Sequence, residues 1–163
     1  MSLSLRPVAV DDLAALAPLD AAYAREMGVE PAVEAASLGF FARTGHAFVA
    51  EAGGRPQGVV LAQAVWDGVR PTVRVARLIG SPEARRALAE AVVKSAYDAA
   101  VYDLAAEVPA ADEALAALLA AGSWHERPTR RFERALGSRA NPGSRADPGS
   151  PANPTASTDG GTA

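Results

Sequence analysis

The pattern of hydrophobic and polar positions over residues 1–137 changes repeatedly between the period of a strand and that of a helix. Alternating or continuous apolar runs predict strands over residues 3–8, 46–51, 57–66, 72–79, 101–108 and 127–136. Apolar positions at helical spacing predict helices over residues 11–28, 31–45, 82–100 and 112–121. The resulting order, β-α-α-β-β-β-α-β-α-β, predicts an α/β fold with a mixed, mostly antiparallel sheet flanked by helices.

Residues that favour turns and helix ends mark the predicted boundaries. Gly53-Gly54 and Asp67-Gly68 each predict a hairpin turn between neighbouring strands. Asp11 is predicted to cap the first helix, which ends near Gly28. Pro31 is predicted to open the second helix. These assignments place a meander of hairpins in the middle of the sheet.

The composition changes at residue 138. The chain then runs SRANPG, SRADPG and SPANPT, which are near copies of one another, and ends with STDGGTA. This segment has no aromatic or large aliphatic residue, so ordering it would bury too little apolar surface to offset the loss of entropy. We therefore predict one domain over residues 1–137 and a disordered tail, rich in Pro, Gly, Ser and Asn, over residues 138–163.

Composition and charge exclude several classes of function. The 163 residues are 49% hydrophobic and carry a net charge of −3, which argues against a nucleic-acid binder because such proteins show a basic face. The chain has no cysteine and only two histidines, so a thiolate site, a disulfide and a metal centre are not expected. No export signal or membrane-spanning stretch is visible. These features predict a cytoplasmic protein that binds neither nucleic acid nor a membrane.

Four stretches carry a family resemblance. They are LRPVAVDDLAAL at 5–16, AFVAEAGGRPQGVVLAQA at 47–64, the segment from VRVARLIGSPEARRAL through VYDLAAEV at 73–108, and EALAALLAAGSW at 113–124. Together they resemble the GNAT acyltransferases, which move an acetyl group from acetyl-CoA to an amine. The stretches FFARTGHAFVAE, LAQAVWDG and AVVKSAYDAAVY resemble more closely a small bacterial GNAT-like family of unknown function.

The GNAT resemblance implies acetyl-CoA as co-substrate, with no metal, and a small-molecule or peptide amine as acceptor. The cofactor would lie between the strands at 72–79 and 101–108, where backbone amides hold the thioester carbonyl and the following helix start holds the diphosphate. The residues implied to bind it are Val75, Ala76, Arg77, Gly80, Ser81, Arg85 and Arg86.

Other residues depart from the family pattern. The Gln/Arg-x-x-Gly-x-Gly/Ala loop of GNAT enzymes falls here on Gly80, Glu83 and Arg85, and none of the three slots matches. A tyrosine that often protonates the leaving thiolate is replaced by Leu118. Ser81 as N-cap, with an acid in the first helical turn, is also explained by helix initiation without any ligand.

No catalytic residue is assigned from the sequence. Glu107 and Glu51 are carboxylates near strand ends that could accept a proton from an amine, although a solvated strand-end charge explains each as well. His46 and His125 are expected to be exposed surface residues. Tyr97 is expected to pack on the sheet with its hydroxyl at the rim.

Two functions remain open at this stage. The first is an N-acetyltransferase acting on a primary amine of unknown identity. The alternative is a catalytically silent GNAT-fold protein that binds a ligand or partner through the same cleft or works as a dimer scaffold, and a homodimer is compatible with both. Splayed strands with a bulge and open amides would favour the enzyme, and a cleft filled by side chains would favour the alternative.

Overall fold

A computed structural model describes residues 2–128 and 130. Residues up to Glu126 form one compact unit, and a second unit begins at Arg127, of which only Arg127, Pro128 and Arg130 are described. The elements of the first unit are β1 Ser4–Pro7, a 3₁₀ turn Val10–Asp12, α1 Leu13–Met27, α2 Ala35–Phe41, β2 Phe48–Ala52, β3 Arg55–Trp66, β4 Pro71–Gly80, α3 Pro82–Asp98, β5 Asp103–Ala106 and α4 Glu113–Ala121.

The strands form one mixed sheet in the order β1-β2-β3-β4-β5. The pairings from β1 to β4 are antiparallel, whereas β4 and β5 are parallel and are joined through α3. The predicted fold class, a mixed and mostly antiparallel sheet flanked by helices, is confirmed. The Gly53-Gly54 turn is also confirmed, with φ of 57° and 73° at the two glycines.

Each face of the sheet buries its own hydrophobic cluster. Val60 and Ala62 of β3 pack with Leu88 and Val92 of α3 and with α4. The intervening residues of β3 point to the other face, where they pack against α1 and α2. On α3 the buried positions include Ala96, whereas Ala99, which follows the last residue of the helix, is exposed. Two helical layers therefore lie on opposite sides of the sheet.

Two predicted helix starts differ from the structure, and an aspartate carboxylate is involved in each. The first helix is preceded by a 3₁₀ turn, and Asp12 rather than Asp11 accepts the Ala9 N–H, at 2.8 Å. The second helix begins at Ala35 and not at Pro31. The Asp12 carboxylate binds the N–H of the residue before the 3₁₀ turn, an arrangement that favours this turn. Asp20 instead binds the amides of Ala32 and Val33 and holds the segment before α2 in a non-helical conformation.

The last predicted strand, over residues 127–136, is not seen in the described part of the chain. Arg127, Pro128 and Arg130 are not in a strand, and the rest of the prediction lies outside the described residues. The predicted domain boundary at 137/138 and the predicted tail at 138–163 also lie outside them and stay predictions.

An ion cluster between β1 and β2 makes the free energy of unfolding depend on pH in the acid range. Arg6 donates to both Asp12, at 2.5 and 2.8 Å, and Glu51, at 2.6 and 3.0 Å. The hydrogen bonds from Arg6 hold the pKa of Asp12 below its ordinary value. Because the folded carboxyl resists protonation, its stabilisation is present above the unfolded pKa and is lost as the pH falls through the folded pKa.

Lowering the pH from 6 to 2 should reduce the free energy of unfolding of both the wild type and Asp12→Asn. We expect the wild type to lose about 1 kcal/mol more than Asp12→Asn, which lacks the carboxyl group. Urea unfolding of both proteins across this pH range measures the difference. Asp11→Asn is the matched control, since Asp11 is exposed, and it should follow the wild-type curve. Parallel curves for wild type and Asp12→Asn would contradict the prediction.

Candidate functional site

An opening lies beside the second half of β4. Pairing between β4 and β5 runs from Thr72–Asp103 to Val75–Ala106, and the Glu107 N–H then donates to the Val75 carbonyl at 3.3 Å. Beyond this point β4 continues to Gly80 while β5 has ended. The two strands therefore separate at Val75, which is one of the residues that the resemblance implies for cofactor binding.

A β-bulge sits at the start of this opening. Arg77 lies opposite Leu61 and Val75 lies opposite Ala62, so that Ala76 is an extra residue on β4. A bulge shifts the alternation of side chains by one residue. Val75 accordingly packs on the α3 side of the sheet, whereas Arg77 is buried on the α1 side, where it meets Asp20.

Side chains from both faces of the sheet meet at the opening. Tyr23 of α1 is buried among the residues of the α1 face, yet its hydroxyl donates to Asp112 Oδ2 at 2.8 Å. Asp112 caps α4, which packs on the opposite face, by accepting the Leu115 N–H at 3.0 Å. We use the name Tyr23 cluster for four buried residues, Asp20, Tyr23, Arg77 and Asp112, together with the partly buried Arg85.

Two arginines flank the tyrosine ring. The guanidinium carbons of Arg77 and Arg85 each lie 5.4 Å from the centroid of the Tyr23 ring, within range of a cation–π contact. Arg85 also donates to Asp112 Oδ1 at 3.1 Å. Burial, and then the hydrogen bond to Asp112, raise the pKa of the Tyr23 hydroxyl, so the phenol stays protonated at neutral pH.

The other end of the Tyr23 cluster joins β4 to the segment before α2. Asp20 Oδ2 accepts the N–H groups of Ala32 and Val33, at 2.5 and 2.8 Å, and Arg77 donates to the Glu30 carbonyl. Arg77 Nε lies 3.0 Å from Asp20 Oδ1, but the N–H does not point at the oxygen, so this contact is an ion pair without a hydrogen bond. The Tyr23 cluster thus contains two positive and two negative charges.

The N-terminus of α3 uses most of its free amides within the protein. The Ser81 N–H donates to the Gln57 carbonyl at 3.0 Å, and the Ser81 hydroxyl accepts the Ala84 N–H at 3.2 Å. Pro82 has no N–H. Among the described contacts this leaves the amide of Glu83, which carries a carboxylate of its own, for an anion. Ser81 is confirmed as the N-cap.

The residues predicted to bind the cofactor lie in three places. Arg77 and Arg85 belong to the Tyr23 cluster. Val75 is buried at the point of strand separation, with Ala76 exposed beside it. Gly80 and Ser81 form the junction into α3, and Arg86 is exposed on that helix. Binding of a cofactor by these residues stays a prediction.

The acid–base candidates do not lie together: Glu107 follows β5 at the opening, whereas Glu51 and His46 lie elsewhere. Glu51 belongs to the ion cluster with Arg6, and the Glu107 carboxylate contacts Arg74 at 2.6 Å. His46 was predicted to be exposed, which is wrong: it is buried beneath α3, its Nδ1 lies 2.9 Å from Ser95 Oγ, and burial lowers its pKa. Tyr97 does not pack on the sheet, because its side chain is 71% exposed.

The comparison with protein families establishes the family of the chain but does not indicate an activity. Residues 3–145 match the model of a family described as Protein of unknown function (DUF1999). The chain belongs to this family. No curated protein gives a significant match.

Solved structures add the fold. The DUF1999 chain is 44% identical to TTHA1254 from Thermus thermophilus, over 83% of this chain and 99% of that one, with TM-scores of 0.68 for the wild type and 0.71 for a point mutant. It is also similar to a ribosomal-protein-alanine N-acetyltransferase from Brucella melitensis biovar Abortus 2308, at 15% identity over 83% and 100% of the chains, with a TM-score of 0.64.

A further neighbour is an aminoglycoside acetyltransferase from an uncultured soil metagenomic sample, solved in complex with sisomicin. It is 14% identical over 83% of this chain and 97% of that one, with a TM-score of 0.64. At such identities the likeness establishes the fold, which is GNAT-like. Within residues 2–128, no helix is long and apolar enough to cross a bilayer. The described residues also contain no group of three or more His, Cys, Asp or Glu that could hold a metal ion.

Proposed function

We propose that this DUF1999 protein is a GNAT-type N-acetyltransferase that moves the acetyl group of acetyl-CoA to a primary amine of a small molecule or peptide. The observation that carries the proposal is the separation of β4 from β5 directly beside the bulged Ala76. A bulge turns backbone groups out of the ladder. Here those groups border an opening at the point where the resemblance implies the thioester.

Acetyl-CoA would supply an activated acyl group, and the protein would position the thioester and the amine for reaction. The amine nitrogen forms the new bond to the carbonyl carbon as the C–S bond breaks, and the nitrogen proton goes to the departing thiolate or to solvent. Amides near Val75 and Ala76 would hold the carbonyl oxygen, and the exposed Arg86 would meet the diphosphate. Positioning by itself supplies much of the rate of such a transfer.

The fit of this co-substrate requires a movement of Tyr23. Its ring lies between Arg77 and Arg85, and its hydroxyl reaches Asp112, so the opening is filled by side chains in this conformation. An extended ligand passing between β4 and β5 has to displace the ring from these contacts. Arg77 and Arg85 would then be left to face the ligand in its place.

Two observations favour a second candidate function, a catalytically silent GNAT-fold protein that binds a partner or acts as a scaffold. The first is the Tyr23 cluster, which balances its charges and bridges both faces of the sheet. The second is the start of α3, where Ser81 and Pro82 leave only the Glu83 amide, among the described contacts, for a diphosphate. A permanently closed opening would make acetyl-CoA binding impossible.

Isothermal titration of acetyl-CoA, CoA and ADP into the full chain distinguishes the two functions. We expect acetyl-CoA to bind with a dissociation constant in the micromolar range. Glu83→Gln should tighten binding by about threefold to tenfold, because it removes a negative charge beside the diphosphate. Glu113→Gln is the matched control, since Glu113 is also a glutamate in the first turn of a helix, α4, and it should leave binding unchanged.

The opposite outcome is equally informative. If neither the folded wild type nor Glu83→Gln gives heat at millimolar acetyl-CoA, the acetyltransferase proposal fails. The catalytically silent binding or scaffold protein is then the function that the data favour. Circular dichroism of the same samples establishes that the proteins are folded.

A further inference from the structure

Helix α3 presents an apolar strip to solvent. Val93 is 42% exposed and Tyr97 is 71% exposed, although both are large hydrophobic side chains. Tyr102, which is 70% exposed, contacts the Tyr97 ring edge to face with the centroids 5.7 Å apart. Single exposed apolar residues are common on protein surfaces, but a contiguous strip of them is typical of an interaction surface.

A groove runs beside this strip. It lies between α3 and α4, has a volume of about 550 Å³, and is lined on its apolar side by Ala89, Val93, Leu118 and Trp124. Ala89 and Tyr97 line the groove about one helical turn before and after Val93. A groove of this volume can accept an aromatic side chain from outside.

The charges beside the strip repeat with a simple alternation. Arg86, Glu90, Lys94 and Asp98 follow one another at intervals of four residues, so they form one row along α3 with the order plus, minus, plus, minus. All four are exposed. From the opposite end, the row is minus, plus, minus, plus. An antiparallel copy of the same row is thus its electrostatic complement at every position.

We propose that α3 is the interface of a symmetric homodimer in which the α3 helices of two copies pack antiparallel. Glu90 of one copy faces Lys94 of the other, and Arg86 faces Asp98, each pair occurring twice because the contact is isologous. The apolar strips of the two copies also face each other across the two-fold axis. Val93 lies near the two-fold axis, and Tyr97 of each copy enters the groove at Ala89 of the other.

The occupant of the groove follows from this charge order. An unrelated partner would have to supply the alternating row by coincidence, whereas a second copy supplies it by symmetry. Of the residues named in this interface, only Arg86 also belongs to the site proposed for acetyl-CoA, so the proposal holds whether or not the protein transfers an acetyl group.

Sedimentation equilibrium of the full chain, from micromolar to millimolar concentration, tests the proposal. We expect a wild-type mass of twice the 16.7 kDa of one chain. Glu90→Lys places a lysine opposite Lys94 of the other copy, and Lys94→Glu places a glutamate opposite Glu90. Each variant alone should raise the dimer dissociation constant at least about tenfold. An equimolar mixture of the two should restore the dimer, because every facing pair is then opposite in charge.

Trp66→Ala is the control, since Trp66 is as exposed as Tyr97 but lies at the β3–β4 turn, and it should leave the dimer intact. Thermal unfolding establishes that all variants are folded. A wild-type monomer at millimolar concentration, a dimer that Glu90→Lys does not weaken, or a mixture that stays monomeric would each overturn the proposal.

Discussion

Replacing Asp112 by alanine is expected to lower the free energy of unfolding by about 3–5 kcal/mol. Asp112 is 2% exposed and serves three groups: the Leu115 amide at the start of α4, the Tyr23 hydroxyl and the Arg85 guanidinium. The alanine variant loses the helix cap, which is worth about 1 kcal/mol. The larger cost comes from Arg85, whose partly buried charge is left without its carboxylate partner.

Urea unfolding at neutral pH measures this loss. Two further variants show how much of it comes from the helix cap and how much from the unpaired charge. Asp112→Asn keeps an acceptor oxygen for the Leu115 amide and should retain the cap while losing the charge. Adding Arg85→Met to Asp112→Ala removes the unpaired cation and should recover at least about 1 kcal/mol, which makes the double variant more stable than the single one.

Asp103→Ala provides the comparison with a surface ion pair. Asp103 lies 3.5 Å from Arg70, and both side chains are largely exposed, so its removal should change stability by less than about 1 kcal/mol. A loss of that small size in Asp112→Ala would contradict the prediction, as would an Arg85→Met substitution that destabilises further.

The fold could be predicted from the sequence because its information is local. The hairpin of β2 and β3 follows from two apolar runs and the Gly53-Gly54 pair, and α3 follows from Ser81, Pro82 and a helical stripe. The start of α2 could not be predicted in this way. Helix α2 begins at Ala35 and not at Pro31 because Asp20, on a neighbouring helix, binds the amides of residues 32 and 33.

The Tyr23 cluster could not be predicted because its members come from distant parts of the chain. Residues 20–23, 77, 85 and 112 meet only when β4 acquires an extra residue at Ala76, and no glycine or proline marks that bulge in the sequence. One pattern did point toward it. Asp20 and Tyr23 continue the buried stripe of α1 that begins at Leu16, and a carboxylate in such a stripe requires a buried partner.

The glycine before α3 also has a structural role that the resemblance did not suggest. The resemblance implies that Gly80 lies beside a diphosphate, which stays a prediction, and the structure packs it against the neighbouring strand. A Cβ at Gly80 would lie 2.3 Å from the Gln57 carbonyl oxygen and 2.5 Å from the Cα of Gly58. Gly58 is crowded in return, because a Cβ there would lie 2.5 Å from the Ile79 carbonyl oxygen. The pair permits β3 and β4 to approach closely where α3 begins.

Gly80→Ala is accordingly expected to lower the free energy of unfolding by about 3 kcal/mol or more, without any ligand present. Two costs combine in this variant. A backbone φ of 134° disfavours any residue with a Cβ, and the Cβ meets backbone atoms that cannot rotate away. Urea unfolding of the ligand-free protein measures the sum.

Gly54→Ala separates these two costs. Gly54 also has a positive φ, of 73°, but a Cβ there meets nothing within 4 Å, so only the conformational cost of about 1 kcal/mol applies. The difference between the two variants is the cost of the strand contact. Equal losses in Gly80→Ala and Gly54→Ala would show that β3 and β4 can separate at this point, and Gly80 would then be free to serve the ligand loop that the resemblance implied.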